Sequence, residues 1–270
     1  MSMTIQRLCE GIRLDSHARQ IVDEYRMDDA LYANYKQHFN NDRHAFFERV
    51  KQNEAYRQLF LYLFVRFAVD AYEQYRLKGI DDRVYFDTFY DIQIWCMNCK
   101  RDYGEYGLEE YMWLQEHVQL RLFALGRLQF QPCAIDREVE LDGMKIHQNQ
   151  LVLNVHIPAG EPLTLPSIED AFARARAFFR GITPVFMCNS WMLSPRLSEV
   201  LPPESNILRF QKLFHIDKVD PDSRDAERFI FHVIKSDVSE YAEQTSLQRK
   251  AKAYLLTGDK LGFGFGVTLG

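Results

Sequence analysis

The sequence predicts an α+β or α/β protein in two parts: an all-helical N-terminal domain over residues 1–125 and a mixed sheet flanked by helices over 126–270. Three observations lead there. Apolar residues recur at helical spacing, with Gly and Pro scarce, up to about Leu125. After Gly126 the pattern switches to short alternating runs. Helical patterns separate those runs, which implies a sheet covered by helices. A chain of 270 residues, 47% hydrophobic and 14% aromatic, has enough apolar mass for two cores.

In the first part, Ile21, Tyr25 and Met27 and then Leu31, Tyr32, Tyr35 and Phe39 fall at helical spacing. Further apolar faces run through Phe46, Phe47 and Val50, from Leu59 to Tyr75, from Val84 to Cys96 and from Leu108 to Leu125. Breaks at Asn40-Asn41, Lys78 to Asp82 and Tyr103 to Gly107 divide these into a bundle of about five helices.

In the second part, Arg127 to Ile135 alternates as a strand, and a second strand around Asp136 to Leu141 turns at Asp142-Gly143. The clearest strand is LVLNVHIP, which ends at Val155-His156-Ile157. Residues 184–193 (PVFMCNSWML), 229–235 (FIFHVIK) and 262–269 (GFGFGVTL) are further strand predictions. A helical pattern spans Pro195 through Phe214, and another covers about Leu247 to Leu256.

The net charge of −5 argues against nucleic-acid binding, which needs a basic face to neutralise phosphates. The N-terminal residues carry no apolar signal core, and the run Leu59 to Val69 is too short to cross a bilayer and holds Arg66. These features predict a cytoplasmic protein without a membrane role, in which the five cysteines stay reduced. Cys96 and Cys99 form a C-x-x-C, but a zinc site needs two more ligands, and the flanking Ile92, Ile94, Trp95 and Met97 place the pair in an ordinary helix. No metal is predicted.

The strand-to-helix junction after His156 is the predicted site. Period-two geometry puts Leu151, Leu153, Val155 and Ile157 on one face and Val152, Asn154 and His156 on the other. Polar groups thus gather at the C-terminal end of a strand, where ligands bind in open α/β sheets. The chain then runs through Pro158 to Pro166 into a helix predicted to start at Ser167, with Ser167 as N-cap and Asp170 as its capping-box partner. A helix start suits phosphate, although one glycine is too few for a P-loop or dinucleotide fingerprint. A histidine near a strand end is most often a satisfied core group. It is also the side chain best suited to act as a base near neutral pH, and His232 has equal claim on composition alone.

Three segments taken together resemble a known family. VHIPAGEPLT with SIEDAFARARAFF, then CNSWMLSPRLSEVLPPESNILRFQKLF, then TSLQRKAKAYLLTGDKLGFGFGV are similar to the GNAT-like C-terminal domain of bacterial acyltransferase-like proteins. The stretch from Asp91 to Phe130 resembles the end of the helical N-acyltransferase domain that accompanies it. The resemblance implies a mixed sheet whose two central strands splay apart to admit acyl-CoA. Pantetheine then pairs along the strand over 151–157, and the pyrophosphate meets the following loop and helix start. On that basis Val155, Ile157, Ala159, Gly160, Thr164, Ser167 and Asn206 are the expected CoA-binding residues.

The resemblance further implies direct acyl transfer, from acetyl-CoA or another acyl-CoA to an unidentified amine. His156 or Glu161 is the expected base, with Asn189 and Ser190 near the acceptor and Trp191, on the Asn189 face, walling the pocket. Three departures stand out. The loop Pro158 to Thr164 has one glycine and the acidic Glu161 where common relatives have a glycine-rich loop. The segment Arg209 to Phe214 lacks the tyrosine that protonates the leaving thiolate, leaving solvent or His215 for that role. Asn189 stands where a histidine is expected in relatives. They keep open a rival reading, a non-catalytic acyl-CoA sensor or protein-interaction module, while a zinc or redox protein built on Cys96 and Cys99 is a third.

Overall fold

The structure, a computed structural model, describes residues 2–270. The chain divides into two compact units, one ending at Ala124 and the other running Leu125–Gly270.

Among its described residues the first unit contains eight α-helices: α1 (Ile5–Gly11), α2 (Ser16–Glu24), α3 (Asp29–Asn41), α4 (Arg43–Lys51), α5 (Tyr56–Leu77), α6 (Asp82–Phe89), α7 (Asp91–Tyr103) and α8 (Tyr111–Val118). The bundle is therefore more finely divided than the five helices that periodicity predicts. The reason is capping. Asp15, Asp28, Asp42 and Asp81 each accept a bond from a first-turn N–H of the helix that follows, so a single aspartate restarts the helix. The apolar run from Val84 to Cys96 is likewise split at Tyr90 between α6 and α7. Helix α5 forms the centre, with Phe60, Leu61, Leu63, Phe64 and Val65 fully buried on consecutive turns. A stretch buried on all sides, as 59–65 is, needs neighbours all round, which the shorter helices provide. Cys96 and Cys99 lie buried on α7, and burial pushes both thiols up to about 12. Among the described residues no helix is long and apolar enough to cross a membrane.

The second unit carries β2 (Leu128–Ala134), β3 (Val139–Leu141), β4 (Met144–Ile146), β5 (Leu151–His156), β6 (Phe186–Ser190), β7 (His215–Asp220) and β8 (Phe263–Thr268), preceded by β1 (Phe123–Leu125). Its helices are α9 (Leu165–Phe178), α10 (Asn206–Gln211), α11 (Asp225–Phe231) and α12 (Ser246–Leu255). The main sheet has the order β1-β2-β5-β6-β8-β7 and is mixed, because β5 and β6 run parallel while the pairs β2–β5, β6–β8 and β7–β8 are antiparallel. One face packs on α9 through Phe130, Phe172 and Phe186, whose ring centroids lie 4.5–6.1 Å apart. The hairpin β3–β4 turns at Asp142 and Gly143, both with positive φ, the form that matches strand twist. Its Val139, Leu141 and Ile146 cluster with Val152, Phe265 and Val267 on the opposite face of the main sheet.

Three predicted elements differ, and one strand is not predicted. Residues 229–235 are not a strand: α11 runs to Phe231, held by the Arg224–Glu227 ion pair one turn apart, and His232 ends it in a left-handed conformation (φ 61°). His232 therefore stands on no neighbouring strand. The strand over 184–193 stops at Ser190, and Trp191–Leu193 form a 3-10 turn that carries Trp191 away from the Asn189 face into a cluster with Leu197, Val200 and Ile230. The helical pattern from Pro195 to Phe214 is interrupted around Pro202 and Pro203, leaving a 3-10 turn over Pro195–Glu199 and the short α10. The edge strand β7 has no apolar face to announce it, since five of its six residues are exposed.

Candidate active site

The site is built on the face of the sheet that looks away from α9. Cross-strand partners share a face, so the registers Gln129–His156, Gln131–Asn154 and Asn154–Met187 group these five side chains. Asn189 lies two residues beyond Met187 and shares that face, whereas Ser190 lies on the other. His156 and Asn189 thus lie on one surface, and Ser190 does not. The Ser190 hydroxyl is used instead to accept from the Met192 N–H at 3.1 Å, capping the 3-10 turn that follows.

The two parallel strands pair over only two rungs, Leu153–Phe186 and Asn154–Met187. Beyond them β5 continues through Val155 and His156, still paired to β2, and β6 continues through Cys188, Asn189 and Ser190, still paired to β8. The sheet therefore parts between β5 and β6 beside the polar face. A parting of this kind leaves backbone donors and acceptors of a strand edge available to an extended ligand.

Three polar side chains meet at the end of β5. The Asn154 Nδ2 lies 3.1 Å from His156 Nε2, and Gln131 Oε1 lies 3.2 Å from the same nitrogen. Asn154 Oδ1 is buried and has no hydrogen-bonding partner in the protein. A buried acceptor left unpaired costs free energy unless a ligand or water completes it. Nearby on this face, Cys133 lies 3.7 Å from the Met187 sulfur, and burial raises its thiol above the usual range, so it is uncharged.

The loop after β5 is held by a residue that the sequence pattern does not single out. Arg127 donates from Nε to the Glu161 carbonyl at 2.6 Å and from Nη1 to the Pro158 carbonyl at 2.9 Å. Burial lowers Arg127 from its ordinary value, and the Glu161 charge opposes that shift. Within this loop Ala159, Gly160 and Glu161 are exposed. Gly160 has φ 129°, and a Cβ there would meet nothing within 4 Å, so conformation rather than space requires glycine.

Helix α9 begins two residues earlier than predicted. Thr164 is the N-cap and Pro166 sits in the first turn, where a missing N–H costs nothing. Ser167 is an in-helix residue whose hydroxyl donates back to the Thr164 carbonyl at 2.8 Å and accepts from Thr164 Oγ1 at 3.0 Å. Asp170 pairs with Arg174 at 2.7 Å instead of closing a capping box. No side chain caps the first turn of α9, so its N–H groups stay available to an anion. Val155 is buried and Ile157 half-buried at the strand end, and Asn206 is the half-buried first residue of α10.

A parallel pair of strands that parts beside a polar face, followed by a loop and an uncapped helix, defines the class of GNAT-like acyl-transfer folds. The chain belongs to that family: residues 122–268 match the GNAT-like C-terminal domain, and residues 3–120 match the N-acyltransferase N-terminal domain. Solved structures agree on the fold. An acyltransferase in complex with decanoyl-CoA and teicoplanin is 21% identical with a TM-score of 0.78, covering 98% of this chain and 87% of that one. An acyltransferase mutant in complex with octanoyl-CoA is 22% identical with a TM-score of 0.77 and the same coverage. The complex with CoA and 10C-teicoplanin is 21% identical with a TM-score of 0.78, again with the same coverage. No curated protein matches the chain.

Proposed function

We propose that this protein is an acyl-CoA-dependent N-acyltransferase that moves an acyl group from the CoA sulfur to the nitrogen of an amine. The observation that carries the reading is the parting of β5 and β6 next to the His156 cluster. It is a slot with a hydrogen-bonding edge and a titratable group at its end. The likeness to structures holding decanoyl-CoA and octanoyl-CoA favours a medium-chain acyl donor over acetyl-CoA.

In this reading the edges of Val155 and Ile157 align the pantetheine. The loop Ala159–Gly160, with the first turn of α9 from Thr164 to Ser167, seats the pyrophosphate on backbone N–H groups, and Asn206 approaches the pantetheine from α10. The neutral amine attacks the thioester carbonyl carbon, the C–S bond breaks, and His156 accepts the proton that the nitrogen sheds. The thiolate leaves with a proton from solvent or His215. Asn189, on the His156 face and exposed, faces the acceptor. Glu161 is an exposed rim residue suited to an amine's positive charge rather than to the base role.

Calorimetric titration with acetyl-, octanoyl- and decanoyl-CoA, followed by thiol release in the presence of an amine panel, tests the proposal. Binding with amine-dependent release supports it. His156→Ala should abolish release and leave CoA affinity within a few-fold. Absence of binding by all three thioesters rejects both an enzyme and a sensor. A second reading, an acyl-CoA sensor, is favoured by one feature: α10 and the residues up to Phe214 offer no tyrosine to protonate the thiolate. Tight binding without turnover on any amine would select it.

A further inference from the structure

The contacts of His156 Nε2 contain a conflict. The Asn154 Nδ2, at 3.1 Å, can only donate a hydrogen bond, and Gln131 Oε1, at 3.2 Å, can only accept one. A bare Nε2 satisfies Asn154 and opposes Gln131. A protonated Nε2 satisfies Gln131 and opposes Asn154. From this geometry we infer that Gln131 and Asn154 are positioning residues that balance the two protonation states of His156, Asn154 stabilising the bare ring nitrogen and Gln131 the protonated one.

The balance suits a group that must take a proton and give it back. Before the reaction, the Asn154 amide N–H holds the Nε2 lone pair in place. Once the ring takes the amine proton on Nε2, the Asn154 bond to that nitrogen breaks and Gln131 Oε1, already 3.2 Å away, accepts the new N–H. The two carboxamides stand on adjacent strands at one rung of the ladder, Gln131 opposite Asn154, so the pair is fixed by backbone register as well as by contact with the ring. Asn154 Oδ1 is buried without a hydrogen-bond partner in the protein and is left for a donor that arrives with the ligand or from water.

Neither cysteine on the flanking strands adds a charge beside the ring. On β2, which flanks β5, Cys133 is uncharged because burial raises its thiol. On β6, which flanks the other side, Cys188 is buried and its thiol is likewise raised, to about 12. Arg127, just before β2, is turned to the carbonyls of Pro158 and Glu161, and the Glu161 carboxylate is exposed. The cluster bears on catalysis only if His156 is the base, as proposed above, but its effect on the ring is measurable without a substrate.

Long-range proton–nitrogen NMR of the histidine rings in the full-length protein reads both tautomer and titration midpoint. His156 is assigned among the eight histidines by its loss in His156→Gln. In Asn154→Leu the midpoint should rise, by about half a pH unit if one hydrogen bond is lost. In Gln131→Leu it should fall by a similar amount. Both changes make the surroundings more apolar, so a merely structural role would lower the midpoint in both. Shifts of the same sign, or no shift in either, overturn the inference. If a leucine variant fails to fold, Asn154→Ala and Gln131→Ala give the same pair of signs. Opposite shifts together with a fully active His156→Ala would keep the cluster and remove His156 as the base.

Discussion

Replacing Arg127 by methionine removes the two bonds that hold the loop after β5 and keeps most of the apolar stem. The wild-type guanidinium reaches the Glu161 and Pro158 carbonyls at 2.6 and 2.9 Å. A bond from a charged donor contributes roughly 1.5–3 kcal/mol, so the two together are worth about 3–6 kcal/mol before offsets. The offset is substantial, because burial disfavours the Arg127 charge, as the lowering of its pKa shows. Methionine also recovers apolar contact along the stem. A net loss of about 2 kcal/mol is the reasonable expectation, most of it local to residues 158–161. If those residues seat the pyrophosphate, ordering them becomes part of the binding cost, and each 1.4 kcal/mol transferred weakens binding about tenfold. Urea unfolding and calorimetry with CoA separate the two effects. The expected result is a variant that still folds cooperatively but binds CoA at least about tenfold more weakly. Unchanged CoA affinity in a stably folded Arg127→Met protein would refute the assignment of this loop to the phosphate.

Two further outcomes follow from the second unit. Burial alone would raise the Glu227 carboxyl, but hydrogen bonds from Arg224 and Tyr241 hold it below the ordinary glutamate value. Its stabilisation is therefore complete above the unfolded value, near ~4.3, and is lost as pH falls through the folded one. Melting temperatures measured from pH 6 down to 3 should fall on the acid side in the wild type and flatten there in Glu227→Gln, from a lower starting stability. Gly264→Ala places a Cβ 2.7 Å from the Leu193 carbonyl carbon and 2.8 Å from its Cβ, so β8 or the 3-10 turn must shift. A loss of about 1–3 kcal/mol in chemical denaturation is expected, and a neutral result would mean that the turn is not fixed against the strand.

What the sequence reveals of the fold depends on where apolar pattern controls structure. The strand over 151–156 is plain because its side chains alternate between the α9 face and the hairpin face, and the strand over 263–268 because Phe265 and Val267 meet the hairpin while Gly264 and Gly266 meet Leu193. The turn at Asp142-Gly143 is plain because few residues accept positive φ. Residues 229–235 mislead for the opposite reason. FIFHVIK is rich in strand-forming residues, but Phe229, Val233 and Ile234 are exposed, so no sheet face organises them. The local Arg224–Glu227–Tyr241 network decides the helix instead. β7 is invisible to pattern because an edge strand with exposed polar residues gains its stability from backbone pairing to β8.

The candidate site follows the same division. His156 and Asn154 can be placed on one face by period two alone, and Asn189 joins them through the parallel register. Gln131 and Arg127 cannot be found that way. Gln131 matters because antiparallel pairing sets it opposite Asn154, and Arg127 matters because it folds back on a loop more than thirty residues further along the chain. The helix start fails for a subtler reason. Ser167 and Asp170 fit a capping box in sequence, but Thr164 takes the cap and Pro166 enters the first turn, which turns the Ser167 hydroxyl back on the chain. That displacement has a chemical consequence. A helix capped by serine would have spent a first-turn N–H on its own side chain, whereas α9 keeps those donors for whatever anion occupies the loop. Under the proposed function the uncapped first turn of α9 therefore adds to the N–H groups of Ala159 and Gly160 as phosphate donors, with Pro166 contributing none.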